Sequence, residues 1–267
     1  MEKNLHFLWL NDFSHCPPEL LGNPARWRAL NPGWQLMLWN RADILKFVSR
    51  EYPMLLGIFR VIEETSTEKV AAVKQSDLAR LLILHHYGGA YVDMDCAPLL
   101  PLSSLFGEPF GSSPEVRHRF TPFTYARGDT PPTVLDPDAP ADDLAEWGKY
   151  SLIFSREHQP DPELGTAKVS NAVIIARKGS SLLADIISRL IPHWNEQVLK
   201  FCGPHAITKA LLELSKTEEH KGKAYVLPPH YLTWQPHDQG EPWERAIAIH
   251  ENQLSWCDFS KPVPWAI

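Results

Sequence analysis

Two aspartates flank one methionine in Asp93-Met94-Asp95. Along an extended chain, residues two apart point to the same side, so the two carboxylates converge. Converging carboxylates repel, and the pair is costly unless a cation or a proton sits between them. A hard divalent cation such as Mn²⁺ or Mg²⁺ suits such oxygen ligands. Upstream, Asp77 and Arg80 are three apart in a stretch read as helix, so they share one face. Leu81 and Leu84 lie near that face, which predicts a partly exposed ion pair. Each signal has a plain alternative when taken alone. An exposed helical ion pair is worth roughly a few tenths of a kcal/mol, and many D-x-D segments are solvated loop acids.

The elements around these residues favour chemistry. Leu5 to Leu10 (LHFLWL) reads as a buried strand closed by the turn signal Asn11-Asp12. Pro17 to Leu30 reads as a helix, Trp34 to Trp39 as a strand, and Arg41 to Glu51 as a short helix. Glu64 to Tyr87 reads as one long helix, ended by Gly88-Gly89, residues suited to positive φ. Ala90 to Val92 is then a strand that stops at Asp93. Ser151 to Ser155 and Ala172 to Ala176 read as strands, Ser180 to Ile191 and His205 to Ser215 as helices. Ala224 to Leu227 and Ala246 to Ile249 are late strands. This alternation predicts an α/β fold with a mostly parallel central sheet flanked by helices. Ligands of such sheets bind beyond the carboxyl ends of strands, where the D-x-D falls. The stretch 112–147, with many prolines and the acidic run DPDAPADD, interrupts the pattern and reads as an insertion.

Composition narrows the classes. A chain of 267 residues, 44% hydrophobic and 22% charged, can bury a sizeable core, which excludes a disordered chain or a small disulfide scaffold. By length it is one large domain, or one domain with an added lobe. The net charge of -6 argues against a nucleic-acid binder. Cys16, Cys96, Cys202 and Cys257 have no C-x-x-C spacing and read as reduced thiols. No apolar run suggests a signal peptide or a membrane span, so the expected location is cytoplasmic, with peripheral membrane contact open.

The run S-D-x-x-R followed by G-G-x-Y-x-D-x-D, from Ser76 to Asp95, resembles the sugar-binding-region glycosyltransferases with a DXD motif, glycosyltransferase family thirty-two. Leu5 to Asn11 (LHFLWLN) resembles the family's opening I-H-x-I-W. Asn31-Pro32-Gly33-Trp34 through Leu38-Trp39 resembles its N-P-x-[YW]…L-W segment. Ser170-Asn171, Gly203-Pro204 and His250 through Ser255-Trp256 (HENQLSW) resemble its later motifs. The family is similar to yeast initiating mannosyltransferases and bacterial capsule enzymes and, more distantly, to clostridial glucosylating toxins.

The resemblance implies a GT-A fold over 1–267, a nucleotide-sugar donor carrying UDP or GDP, a divalent metal with Mn²⁺ preferred over Mg²⁺, and retention of anomeric configuration. It implies that Trp9 stacks on the nucleobase beside the Leu10 backbone, and that Asp77 and Arg80 contact donor hydroxyls and the phosphate side. Tyr91 would line the nucleotide pocket. Asp93 would bind ribose and metal, Asp95 the metal, and Asn171 the donor sugar. Ser255 and Trp256 would close over the diphosphate. His250 ends an apolar run, and a neutral imidazole can complete a metal site begun by two carboxylates; Asn252 and Ser255 are the alternatives. Plain packing roles stay open for Trp9, Tyr91 and His250, the last packed under Trp256.

With no obvious carboxylate nucleophile, a front-face attack fits better than double displacement, although Asp142, Asp143 and Glu251 stay open. The insertion at 112–147 is the expected acceptor lobe. The expected enzyme is a bacterial hexosyltransferase of polysaccharide biosynthesis, acting on a glycan or lipid-linked acceptor. An effector that glycosylates a host protein and a nucleotide-sugar hydrolase are the alternatives.

Overall fold

The structure is a computed structural model, which describes residues 2–10, 13–105, 150–227, 229–233 and 246–251. The strands are β1 (Asn4–Leu8), β2 (Gln35–Trp39), β3 (Gly89–Val92), β4 (Cys96–Pro98), β5 (Leu152–Asp161), β6 (Thr166–Val169), β7 (Val173–Ala176), β8 (Ala224–Leu227) and β9 (Ala248–His250). The principal helices are α1 (Pro18–Leu30), α2 (Arg41–Glu51), α3 (Leu56–Thr65), α4 (Glu68–Tyr87), α5 (Ser181–Leu190) and α6 (Pro204–Leu214). The central sheet has the order β2-β1-β3-β7-β5-β6, and β8 pairs with β5. β1–β2, β1–β3 and β5–β8 are parallel, whereas β7 runs antiparallel to both β3 and β5. The expected α/β sheet is present, with β7 set antiparallel inside it and β6 antiparallel at its edge.

Strands β3, β7 and β8 are buried along their whole length. Their unbroken apolar runs, AYV, VIIA and AYVL, are what a strand covered on both faces requires. Helix α4 lies against β1, β3 and β7. Its residues Leu78, Leu81, Leu82, Ile83 and Leu84 are fully buried.

The helix read over Glu64 to Tyr87 is two helices. α3 ends at Thr65, Ser66 is extended, and the Thr67 hydroxyl caps α4 by accepting from the Val70 N–H at 3.4 Å. A hydroxyl that caps a new first turn competes with helix continuation, so apolar periodicity runs through a real break. At the other end Gly88 and Gly89 take φ of 65° and 104°. A Cβ on Gly89 would collide with the carbonyl oxygen of Asn4 on the neighbouring strand. Only glycine lets the chain leave α4 and enter β3 so close to β1.

The late strand differs from its expected place. It spans Ala248–His250 and pairs antiparallel with β4 in a separate two-stranded sheet. The strand at 151–155 extends to Asp161, and β6, which no alternation signal announces, pairs with its far half. Among the described residues, no helix is long and apolar enough to cross a membrane. Cys16, Cys96 and Cys202 are free and buried. The expected acceptor lobe at 112–147, together with Asn252, Ser255 and Trp256, lies outside the described residues.

Candidate active site

β1 and β3 are parallel, so their carboxyl ends reach the same edge of the sheet, delivering Trp9 and Leu10 from one and Asp93 from the other. β7 is antiparallel to β3, so its beginning lies at that same edge. The ladder continues one step beyond β3, where the Asp93 N–H donates to the Ala172 carbonyl at 2.8 Å. Topology thus brings Asn171, nearly eighty residues downstream, beside Asp93.

Helix α4 supplies the centre. Asp77 and Arg80 were expected to be partly exposed, but their side chains are only 5% and 7% exposed. One turn of helix cannot reach solvent here, because α4 packs on the sheet with both residues on its inner face. Arg80 Nη2 lies 2.9 Å from Asp77 Oδ1, and Nη1 lies 3.1 Å from Asp93 Oδ1. Nη1 also donates to the Asn171 carbonyl at 2.7 Å. The guanidinium carbon stands 4.6 Å from the centroid of the Tyr91 ring. Tyr91 donates its hydroxyl proton to Asp93 Oδ1 at 2.6 Å, and the Asn171 amide donates to Asp77 Oδ1 at 3.0 Å. Five residues expected at the site therefore form one connected network.

The charges respond to burial. Desolvation pushes the Asp77 carboxyl up to about 7, against Arg80; the Asp93 charge adds to the rise and the Asn171 amide opposes it. Asp93 also moves up through burial, opposed by Arg80 and reinforced by Asp95. Burial works against the Arg80 charge, but Asp93, Tyr91 and Asp77 outweigh it and hold the guanidinium more firmly protonated than usual. Removing one member leaves an uncompensated buried charge, so the network behaves as a unit.

The D-x-D segment is not extended. The Cys96 N–H bonds back to the Asp93 carbonyl at 3.0 Å, which closes a turn over 93–96. Alternation along an extended chain therefore does not set the direction of these carboxylates; the turn does. Asp93 faces Arg80 and Tyr91, while Asp95 faces His250, with Oδ1 3.6 Å from Nε2. The expected convergence of Asp93 and Asp95 on one cation is not seen; Asp95 instead stands with His250, and Asp93 lies outside that donor group. That group is one Asp95 oxygen, the Cys96 thiol and a His250 ring nitrogen, all within 4.8 Å of one another. Carboxylate and imidazole donors fit a divalent cation. Burial pulls the His250 imidazole down, but the Asp95 hydrogen bond and charge, with Asp93 and Glu157, hold it above its ordinary value.

Trp9 is partly buried, and its backbone N–H donates to the Trp39 carbonyl at 2.9 Å. Its indole N–H is buried without a hydrogen-bond partner among the described residues. Leu10 is buried beside it. The Glu251 N–H donates to the Asp95 carbonyl at 3.0 Å, which extends the β4–β9 ladder up to the turn.

Sequence reasoning missed the supports of the turn. From α1, the Asn23 amide donates to the Met94 carbonyl and the Trp27 indole to the Cys96 carbonyl, both at 2.8 Å. It also missed Cys96 and Glu157. Glu157, on β5, lies within the field of His250 and pairs with Lys168 at 3.3 Å. Nothing in the local pattern flags these four, because their meaning depends on pairings across the fold.

Known proteins are similar to this chain over the segment that carries Asp77, Arg80, Tyr91, Asp93 and Asp95. Residues 17–112 match the family described as glycosyltransferase sugar-binding region containing DXD motif. This shows, over that segment, the resemblance drawn from its motifs.

Among curated proteins, Inositol phosphoceramide mannosyltransferase 1 of Schizosaccharomyces pombe is 26% identical over 107 residues, 40% of this chain and 29% of the relative. Mannosyl phosphorylinositol ceramide synthase CSH1 of Saccharomyces cerevisiae is 35% identical over 66 residues, 25% of this chain and 16% of the relative. These matches span less than a third of the relatives' own length. Among solved structures, the PaToxG Glycosyltransferase aligns with a TM-score of 0.51 and 16% identity, over 80% of this chain and 69% of that one. The fold is accordingly the GT-A glycosyltransferase fold.

Proposed function

We propose that the chain is a metal-dependent, retaining glycosyltransferase moving a hexose-type sugar from a nucleotide-diphosphate sugar to a glycan, lipid-linked or protein acceptor. The buried Arg80 network, held directly beside the Asp95–His250 pair at the carboxyl ends of β1 and β3, carries the reading. One arginine answers two carboxylates there, and Asp95 with His250 stands beside them as a donor pair for a cation. A cation suits a diphosphate.

In this reading Asp95 and His250, with Asp93 beside them, hold a divalent cation, Mn²⁺ in preference to Mg²⁺. When bound, the ion neutralises charge on the departing nucleoside diphosphate. Arg80 is occupied by Asp77, Asp93 and the Asn171 carbonyl, so its main task is to fix these groups in place rather than to swing onto phosphate. Asp93 and Asp77 present carboxylates to donor hydroxyls, and Asn171 is held near the donor sugar. Trp9 offers its ring to the nucleobase, next to the Leu10 backbone, and Tyr91 walls the pocket. Ser255 and Trp256 close over the diphosphate. The C1–O bond breaks through an oxocarbenium-like state, and the leaving phosphate oxygen takes the acceptor's proton on the same face.

The names of the relatives, an inositol phosphoceramide mannosyltransferase and a mannosyl phosphorylinositol ceramide synthase, support a mannosyl donor and a lipid acceptor in this reading, before a capsule precursor or a protein. The segment 112–147 is the proposed acceptor lobe of a single domain, working in the cytoplasm with peripheral membrane contact. A panel of UDP- and GDP-sugars, tested for binding and slow hydrolysis with Mn²⁺ and with chelator, tests the reading. Metal-dependent turnover of one donor is expected, with mannosyl donors first, and Asp95→Ala should abolish it while thermal unfolding stays cooperative. Wild-type turnover in Asp95→Ala removes that residue from the mechanism. Failure of every donor to bind folded, metal-loaded protein refutes the transferase.

A further inference from the structure

The Gly203-Pro204 motif has no part in the mechanism above. It opens α6, which lies against β6. A Cβ on Gly203 would stand 2.8 Å from the Leu199 Cα, so the position has no room for a side chain. Pro204 takes the first helical position, where no N–H is needed. The chain thereby turns at once into α6, whose His205 and Thr208, three apart, share one face. That face grips β6 at both ends. At its start, His205 Nδ1 lies 2.9 Å from Oδ2 of Asp161, the β5 partner of Thr166. At its end, Thr208 Oγ1 accepts from the Val169 N–H at 2.9 Å.

β6 closes the sheet order, so no described strand pairs with its outer edge. Val169 is buried there, and a buried N–H without a partner is costly. The Thr208 hydroxyl gives its proton to the Pro204 carbonyl at 2.7 Å, which leaves its oxygen to accept from Val169. Ser170 then donates its N–H to the Ser155 carbonyl at 2.7 Å. Asn171 follows, with its amide on Asp77 and its carbonyl on Arg80. Thr208 thus pins the strand two residues before Asn171.

We infer that Thr208 is a positioning residue: through its hydroxyl the first turns of α6 fix the end of β6 and so set where Asn171 stands beside Asp77. The inference rests on the donor-sugar role proposed for Asn171. It gives the Gly203-Pro204 motif a task, which is to start α6 where Thr208 meets Val169. Thr208 itself is buried and acts through Asn171. Misplacing a reacting group by about 1 Å can cost on the order of a hundredfold in rate. Asp77 and Arg80 still hold Asn171 when Thr208 is altered, so the expected loss is smaller, about tenfold.

The test compares Thr208→Val, which keeps the side-chain shape and removes the hydroxyl, with Thr208→Ser, which keeps the hydroxyl. In the full chain labelled with ¹⁵N-asparagine, the Asn171 side-chain amide signal is identified by its loss in Asn171→Ala. It should move in Thr208→Val and return in Thr208→Ser. Slow hydrolysis of the donor selected from the UDP- and GDP-sugars should fall about tenfold in kcat in Thr208→Val and recover in Thr208→Ser. The Kd of UDP or GDP, which carry no sugar, should change by less than about twofold. In the Asn171→Ala background, Thr208→Val should add less than about twofold to the loss of hydrolysis. An unmoved Asn171 signal, unchanged hydrolysis, or a loss that persists in the Asn171→Ala background overturns the inference. If Thr208→Val does not fold, Thr208→Ala is read in the same way. If the wild type turns over no donor, the transferase fails and the amide signal decides alone: movement keeps the link from Thr208 to Asn171, and no movement removes it.

Discussion

Acidification should destabilise this protein through a buried histidine. His6, on β1, is fully buried. Its Nε2 lies 3.0 Å from the Gly88 carbonyl, and its Nδ1 accepts from the Trp39 indole N–H at 3.3 Å. That pairing needs the neutral ring protonated on Nε2; a second proton on Nδ1 would face the Trp39 N–H. Burial accordingly lowers the His6 pKa from 6.5 to about 4, against the pull of the Gly88 carbonyl. The unfolded chain therefore takes up its proton first as pH falls. The stability tied to neutral His6 is whole above pH 6.5 and drains away down to about pH 4.

At about 1.4 kcal/mol per pKa unit, the full loss below pH 4 approaches roughly 3 kcal/mol, and roughly 2 kcal/mol is already gone by pH 5. Urea unfolding of wild type and His6→Gln at pH 7, 6 and 5 isolates this contribution, since the variant keeps a donor for Gly88 but cannot titrate. The gap between the two should close by about 2 kcal/mol between pH 7 and pH 5. Parallel pH profiles within about 0.5 kcal/mol would show that His6 is not held neutral and would refute the account of its burial.

Arg80→Met should cost about 3–5 kcal/mol, because it strands Asp77 and Asp93 without their cation; a melting temperature lowered by less than a few degrees would contradict the network. Adding Asp77→Asn to that variant should recover part of the loss, measured as a double-mutant cycle. Trp27→Phe removes the donor to the Cys96 carbonyl and should cost about 1–3 kcal/mol while loosening the D-x-D turn, read as weaker metal affinity with nucleotide affinity in its absence unchanged. Gly89→Ala should destabilise by at least about 2 kcal/mol, since φ is 104° and the methyl meets the Asn4 carbonyl; a soluble variant of wild-type stability would mean β3 does not lie so close to β1.

Local chemistry by itself settled a good part of this protein. Gly88-Gly89 announced the end of α4, because only glycine takes positive φ at two successive residues without strain. Apolar runs announced β1, β2, β3, β7 and β8, and the motif around Asp77, Arg80, Tyr91, Asp93 and Asp95 singled out residues that the fold then gathers at one edge of the sheet. These signals are short in range, so they survive in a single sequence.

What lay beyond them depended on contacts between distant segments. Asp77 and Arg80 read as a surface pair because periodicity cannot show that α4 lies flat on β1, β3 and β7. Asp93 and Asp95 read as parallel carboxylates because alternation assumes an extended chain, whereas a hydrogen bond from Cys96 turns it. Asn23, Trp27 and Cys96 carried no signal at all. Their roles arise when α1 reaches the D-x-D turn and when β9 pairs with β4, burying polar groups that must then find partners. Residue types determined which chemistry was possible; the register of strands brought together over long loops decided which side chains meet to perform it.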